Sequence, residues 1–395
     1  MAILILNSDK RNIDLADILK DVVDELVVLT TPILPNHDKF LYYEEIEDME
    51  HTPYYELRAL ELHKKYHFHT VISYDEYDVQ RAGRIRDRLN INGQSELSGK
   101  AYRDKVFMKE SLQKDIKVPA FKRLESIVNL RDFIDNYDYP VVVKPVDYGA
   151  SRGVHVLHND EELMQFSKLN WENNLEVEKF IGGTMYHVDV LVYEKQIKFI
   201  SSSKYVNGCL AFQDNLSVGS VQLHPQESMC TRLYQYFEKI YNTLPSPATS
   251  AFHLEVFHTE DDELIICEIA SRVGGGYVSD IIKDTYNMGM LESLLQYQCH
   301  IPVVDNHIDN PELVHGFLLI PPKKGIIKKI PEEIPFSWVT RYIKLVKEGE
   351  GLKDPAKSVA HIVAIIVSGN GSDELTERLE IADQWFRENV IWDIS

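Results

Sequence analysis

Glu255, in Phe-His-Leu-Glu-Val, and Glu268, in Ile-Ile-Cys-Glu-Ile, each sit among apolar neighbours in segments that read as the two strands of one hairpin. A carboxylate in such a strand is costly to bury unless a cation meets it. Two on adjacent strands, facing the same way, offer the hard oxygen ligands that Mg²⁺ takes. Two surface-facing strand positions would show the same spacing. Arg272 and the glycines of residues 274–276 follow at once. An Arg fork beside bare amides suits an anionic site where oxyanion charge develops. A triple glycine is otherwise a flexible turn.

A second set lies upstream. Val-Val-Val-Lys-Pro at 141–145 delivers one cation, Lys144, from a β-branched strand, and a glycine-containing turn spans 149–153. Glycines there let backbone N–H groups approach phosphate oxygens. The order is not that of a P-loop, because the Lys precedes the glycines and no Gly-Lys-Ser/Thr follows. Residues 178–181, Glu-Lys-Phe-Ile, join two units. A backbone hinge there can meet an adenine edge in an apolar slot made by Phe180 and Ile181. A plain strand and turn, or a plain connector, fits each of these segments taken alone.

The elements that must position these groups follow from periodicity. Strands at 2–6, 26–29 and 69–73 alternate with helices at 14–25 and 54–66, so a small parallel sheet is expected. No Gly-x-Gly-x-x-Gly follows the first strand, which argues against a dinucleotide site there. Residues 99–113 read as one helix. Residues 118–180 form a compact α+β unit with helices at 129–137 and 161–169. Antiparallel strands are expected over 186–205, a polar loop over 208–219, a helix over 231–243 and a hairpin over 251–270 turning at Asp261-Asp262. The last 85 residues hold a Pro/Lys-rich stretch at 321–335, a strand at 361–367 and a helix at 373–388.

Composition narrows the function. The formal charge of −20 argues against nucleic acid or an anionic membrane as the main partner. No apolar run is long enough to span a bilayer, and the N-terminus lacks the basic region of a secretory leader. Cys209, Cys230, Cys267 and Cys299 are widely spaced with no metal pattern, and free thiols in a reducing cytoplasm are expected. His63, His67 and His69 read as a solvated segment.

Taken in order, the motifs over roughly 96–280 resemble the ATP-grasp superfamily of carboxylate–amine and carboxylate–thiol ligases, and the branch of L-amino-acid ligases in particular. The resemblance implies an α/β and α+β multidomain ATP-grasp fold: an N-terminal Rossmann-like domain (1–95), a connecting helix (96–117), a lid subdomain (118–180), an antiparallel-sheet catalytic subdomain (181–310) and a C-terminal α+β extension (311–395). It implies ATP contacts at Lys105, Lys144, Gly149, Ser151, Gly153, Glu178, Lys179, Phe180 and Ile181. Metal ligands would be Glu255 and Glu268, for Mg²⁺ or Mn²⁺, and Arg272, Gly275 and Lys204 would serve the chemistry. Two positions depart from the family pattern: Met185 stands where a ribose-binding Glu is usual, leaving His187 or Asp189 to hold the ribose, and Ala270 stands where an Asn is usual. The implied activity activates an amino-acid carboxylate as an acyl phosphate and couples it to an amine. An aminoacyl–carrier thiol ligase and a non-catalytic ATP sensor are the alternatives. Small-molecule substrates are implied, and an acyl carrier protein and a homodimer are open partners.

Overall fold

The computed structural model describes residues 1–8, 13–169, 171, 174–304 and 306–393. At the N-terminus, β1 (Ala2–Asn7), α1 (Leu15–Ile18), β2 (Leu26–Thr30), β3 (Tyr42–Glu45), α2 (Tyr54–Tyr66), β4 (Phe68–Ser73) and α3 (Val79–Leu89) build a parallel sheet ordered β3-β2-β1-β4. Both faces are buried, which is why β1 and β2 read as unbroken apolar runs. Leu4, Leu6, Val27 and Leu29 pack against Tyr55, Ala59 and Ala82 of α2 and α3. Ile3, Ile5 and Val28 pack against a different layer, described below. The helix expected at 14–25 is a single α turn followed by a 3₁₀ stretch (Lys20–Glu25), with a kink at Val22.

The helix expected at 99–113 is two helices, α4 (Glu96–Ala101) and α5 (Lys105–Leu112). Asp104 separates them, because its side chain accepts the Phe107 N–H and caps a new helix. Lys105 is therefore the first residue of α5.

Next come β5 (Phe121–Leu124), α6 (Ile127–Tyr137), β6 (Val141–Pro145), β7 (His155–Leu157), α7 (Asp160–Phe166) and β8 (Leu175–Lys179). Their strands form an antiparallel sheet ordered β5-β8-β6-β7, backed by Leu130, Phe133 and Ile134 of α6.

The largest sheet is antiparallel and has eight strands, ordered β13-β12-β9-β10-β11-β14-β18-β16. It takes β9 (Thr184–Tyr193), β10 (Gln196–Val206), β11 (Val218–Gln222), β12 (Ser250–His258) and β13 (Leu264–Ala270). One face packs on α5 and α8 (Ser228–Thr243) through Met108, Leu112, Leu233, Phe237 and Ile240. The spacing of 233, 237 and 240 puts one apolar stripe of α8 on that face. After α9 (Val278–Tyr286) and α10 (Met290–Gln298), the same sheet continues through β14 (Val314–Ile320), then β16 (Val339–Lys344) and β18 (Val363–Gly369). Beside it, β15 (Gly325–Lys329), β17 (Gly351–Leu352) and β19 (Ile391–Asp393) make a small sheet, and α11 (Ser372–Asn389) covers β14 and β18. Ile281, Leu294 and Phe317 from this region complete the layer beneath Ile3, Ile5 and Val28. The segment expected as a polar loop over 208–219 instead holds a 3₁₀ turn (Ala211–Asp214) and the start of β11, because Ala211, Phe212 and Val218 form a small apolar cluster.

Candidate active site

One cleft of about 510 Å³ lies between the β5-β8-β6-β7 sheet, the eight-stranded sheet and the C-terminal layer. Its size is that of a small-molecule site. Glu255 and Glu268 are direct partners in the β12–β13 register, and both line the cleft. Tyr205 donates its hydroxyl to Glu255 at 2.8 Å, and His253 Nε2 lies 3.6 Å from the same carboxylate. Burial pushes the Glu255 carboxyl up, but His253 and Tyr205 outweigh it and hold the group below its ordinary value. An ionised carboxylate beside a second one, open to a cleft, is a hard-oxygen donor set that fits Mg²⁺.

Cations face this pair. Lys105 Nζ is 2.9 Å from Glu268 and donates to the Tyr148 carbonyl at 2.7 Å. Lys144 Nζ is 2.5 Å from Glu178. Burial alone would lower both lysines, but Glu268 and Glu76 beside Lys105, and Glu178 beside Lys144, keep them above their ordinary value. Both therefore present full charges to the cleft. Gly149, Ala150, Ser151 and Arg152 of the turn at 149–153 line the same cleft, and the expected Gly153 is not among the lining residues. Ala150 and Ser151 both have left-handed φ, near +56° and +55°, as does Gly153 at +70°. Consecutive left-handed residues cost of order 1–3 kcal/mol each and collect at ligand sites. Ser358 N–H donates to the Ala150 carbonyl and Gln213 Nε2 to that of Val154, so two distant segments brace the turn.

Four expected residues sit differently from the sequence reading. Lys204 points away from the cleft: Tyr205 takes the Glu255 face, and strand alternation turns Lys204 to the opposite side, 3.8 Å from Asp373. The Lys179 side chain donates to the carbonyls of Asp138 and Tyr139, outside the cleft. Phe180 and Ile181 do line an apolar slot with Val142 and Met185. His187 and Asp189, considered for ribose, are 0 % and 1 % exposed and bonded into a buried chain from Ser220 through His187 and Asp189 to His253. Asp189 is held below, and His253 raised to about 9, against burial acting the other way, by their mutual contact.

Glu178, expected as a hinge contact to ATP, has its side chain placed instead as the buried counterion of Lys144, and its other oxygen meets Lys109 at 2.5 Å. Two groups were not singled out from the sequence. Lys109, fully buried, also holds both oxygens of Glu176 at 2.9 Å. The second is Glu76, after β4: Arg103 meets it at 2.7 Å and Arg272 at 2.9 Å. Burial pushes Glu76 up, yet Arg272 and Arg103 hold it far below the carboxylate range. A Cβ on Gly149 would lie 2.7 Å from the same carboxylate, so a side chain there would push Glu76 against its ion pairs with Arg103 and Arg272. A Glu just past a parallel strand's C-terminal end was the available signal, since ligands gather at that edge. The thiols of Cys209 and Cys267 line the cleft but are pushed well up by burial, which suits packing rather than nucleophilic attack.

A model of the ATP-grasp domain matches residues 110–279. The L-arginine-specific L-amino acid ligase of Bacillus subtilis is 25% identical over 344 residues, covering 83% of this chain and 81% of the relative. A D-alanine–D-alanine ligase of Lacticaseibacillus casei is 31% identical over 117 residues, 28% of this chain and 32% of the relative. Among solved structures, L-amino acid ligase from Bacillus licheniformis matches with a TM-score of 0.75 at 18% identity, over 100% of this chain and 99% of the other. Carboxyaminoimidazole ribonucleotide synthase from Aspergillus clavatus, complexed with ATP, matches with a TM-score of 0.71 at 14% identity, over 98% and 99%. At such identities the structures speak for the fold. Residues 110–279 thus match an ATP-grasp domain, and over most of its length the chain resembles the L-amino acid ligase branch of ATP-grasp ligases.

Proposed function

We propose that this chain is an ATP-dependent carboxylate–amine ligase that activates an amino-acid carboxylate and couples it to an amine. The observation that carries the reading is the register pair Glu255 and Glu268 facing Lys105, Lys144 and Arg272 across one cleft. Adenine fits the slot of Phe180 and Ile181. Lys105, Lys144 and the N–H groups of 149–153 then meet the phosphates. Glu255 and Glu268 would hold Mg²⁺, with Mn²⁺ an acceptable substitute at the same oxygens, and the ion supplies charge neutralisation on the phosphate chain.

In the first step a substrate carboxylate oxygen bonds to the γ-phosphorus while the bond to the bridging oxygen of ADP breaks. In the second, an amine nitrogen bonds to the acyl carbon, inorganic phosphate leaves and the nitrogen gives up its proton. Arg272 and the backbone N–H of Gly275, both at the cleft, would neutralise the acyl phosphate and the oxyanion that follows. Glu76 holds Arg272 by two N–H donors, at 3.1 and 2.9 Å, which fixes the guanidinium plane beforehand. The braced turn at 149–153 shuts water out of the acyl phosphate. The four cysteines are free, which suits a reducing cytoplasm.

The test is ADP and phosphate release from purified protein with Mg-ATP and pools of amino acids, with and without added amines, followed by mass spectrometry. ADP formed only with particular amino acids, together with a joined product, supports the reading. Turnover that needs a phosphopantetheine carrier would move the chain to the thiol-ligase class. ATP binding with no stimulated turnover would make it a sensor.

A further inference from the structure

We infer that the far end of the cleft selects an amino acid with an apolar side chain. The inference rests on the ligase reading above and specifies one substrate of that site. Besides the carboxylate pair, the cleft is lined by Gly275 and Gly276. A Cβ on Gly275 would meet nothing within 4 Å, so open space lies directly over it. A Cβ on Gly276, whose φ is +61°, would lie 3.5 Å from the Phe317 ring and 3.7 Å from Leu319. Phe317 and Leu319 are alternate residues of β14 and share one face, so they form a wall; Val278 and Val359 extend it. The two glycines make room, and the wall is hydrocarbon.

Charge decides which side chain this room accepts. Among the described residues, the acidic groups lining the cleft are Glu178, Glu255 and Glu268. All three lie at the phosphate end, and each is already engaged: Glu178 with Lys144, Glu255 with Tyr205 and Glu268 with Lys105. A guanidinium or ammonium at the Phe317 end would be desolvated without a carboxylate, which is strongly unfavourable. The Bacillus subtilis relative is named for L-arginine. On this geometry the two chains part in specificity although 25% of their aligned residues are identical.

The experiment measures kcat/KM for ADP release with Mg-ATP and single amino acids, then pairs: leucine, methionine, phenylalanine, alanine, arginine and lysine. Leucine, methionine or phenylalanine should exceed alanine by about tenfold or more, and arginine and lysine should fall roughly a hundredfold below the best substrate. Val359→Glu, in a half-buried loop position, should lower the apolar preference and raise turnover with arginine, with a melting curve confirming that it folds. If arginine or lysine matches the apolar amino acids in the parent chain, the specificity inference is overturned while the ligase reading stands. If no amino acid stimulates ADP release although ATP binds, the ligase reading fails and the inference falls with it.

Discussion

Replacing Lys144 with methionine keeps the length of the side chain and removes its charge. In the free protein the amine is 2.5 Å from Glu178 and only 5 % exposed. Its loss leaves that oxygen of Glu178 without a donor, while Lys109 still bonds the other oxygen and both oxygens of Glu176. An unmatched buried acceptor costs about 1–3 kcal/mol, so the variant should fold with a lowered melting temperature. The ligand side is larger in relative terms. A hydrogen bond to a charged group contributes about 1.5–3 kcal/mol, so ATP affinity should fall roughly 10- to 150-fold. Calorimetric titration with ATP reads this directly, and urea melts with and without ATP read the stability term separately. Lys109→Met is the control: that amine lies outside the cleft lining and holds three carboxylate oxygens, so it should cost more stability, about 3–5 kcal/mol, and less affinity. Binding by Lys144→Met within about twofold of the parent would refute the phosphate role. So would an affinity loss equal to that of Lys109→Met.

Three further outcomes are expected. Glu268→Gln and Glu255→Gln should each raise the Mg²⁺ concentration needed for half-maximal ADP release and lower turnover by at least about a hundredfold, since each removes one hard-oxygen ligand; unchanged Mg²⁺ dependence in both would rule out the metal pair. Lys204→Ala should change stability by under about 0.5 kcal/mol and leave turnover unaltered, because its contact with the fully exposed Asp373 is loose and solvated; a large loss of kcat would reinstate it. Asp78→Asn should flatten the pH dependence of stability. Burial and the neighbouring Asp75 push the Asp78 carboxyl from 3.8 to about 6. A carboxyl raised on folding favours its protonated form in the native state, so stability is full below about 4 and declines as pH rises to about 6, by roughly 3 kcal/mol. Asparagine can still accept from the Ser8 N–H, and a parent melting profile flat from pH 4 to 6 would contradict the assignment.

The parts of the site that the sequence made legible were those fixed by local pattern. The hairpin of β12 and β13 turns where Asp261-Asp262 marks it, and strand alternation around that turn put both glutamates on one face. Lys144 and the glycine turn were readable for the same reason. Lys204 failed on parity: one residue along β10 reverses the face, and no local signal distinguishes Lys204 from Tyr205. The counterions failed on distance. Glu178 finds Lys144 only when β6 pairs with β8, and Glu76 finds Arg272, 196 residues along the chain, only when the N-terminal sheet docks on the eight-stranded one. Helix limits such as the break at Asp104 turn on a single capping side chain, which periodicity does not register.

The eight-stranded sheet has a consequence for how the chain can be cut. The segment that carries the family signature ends at residue 279, yet β11 within it is hydrogen-bonded to β14 from Val218–Leu319 to Val221–Gly316. Val206 and Val221 are buried in one cluster with Val314, Leu318 and residues of α11. A fragment ending before β14 would present the bare edge of β11 and a stripped apolar face, the features that recruit other strands. Such a fragment should aggregate rather than behave as a portable nucleotide-binding module. Chimeras with relatives should therefore exchange everything from β9 to the C-terminal helix as one block.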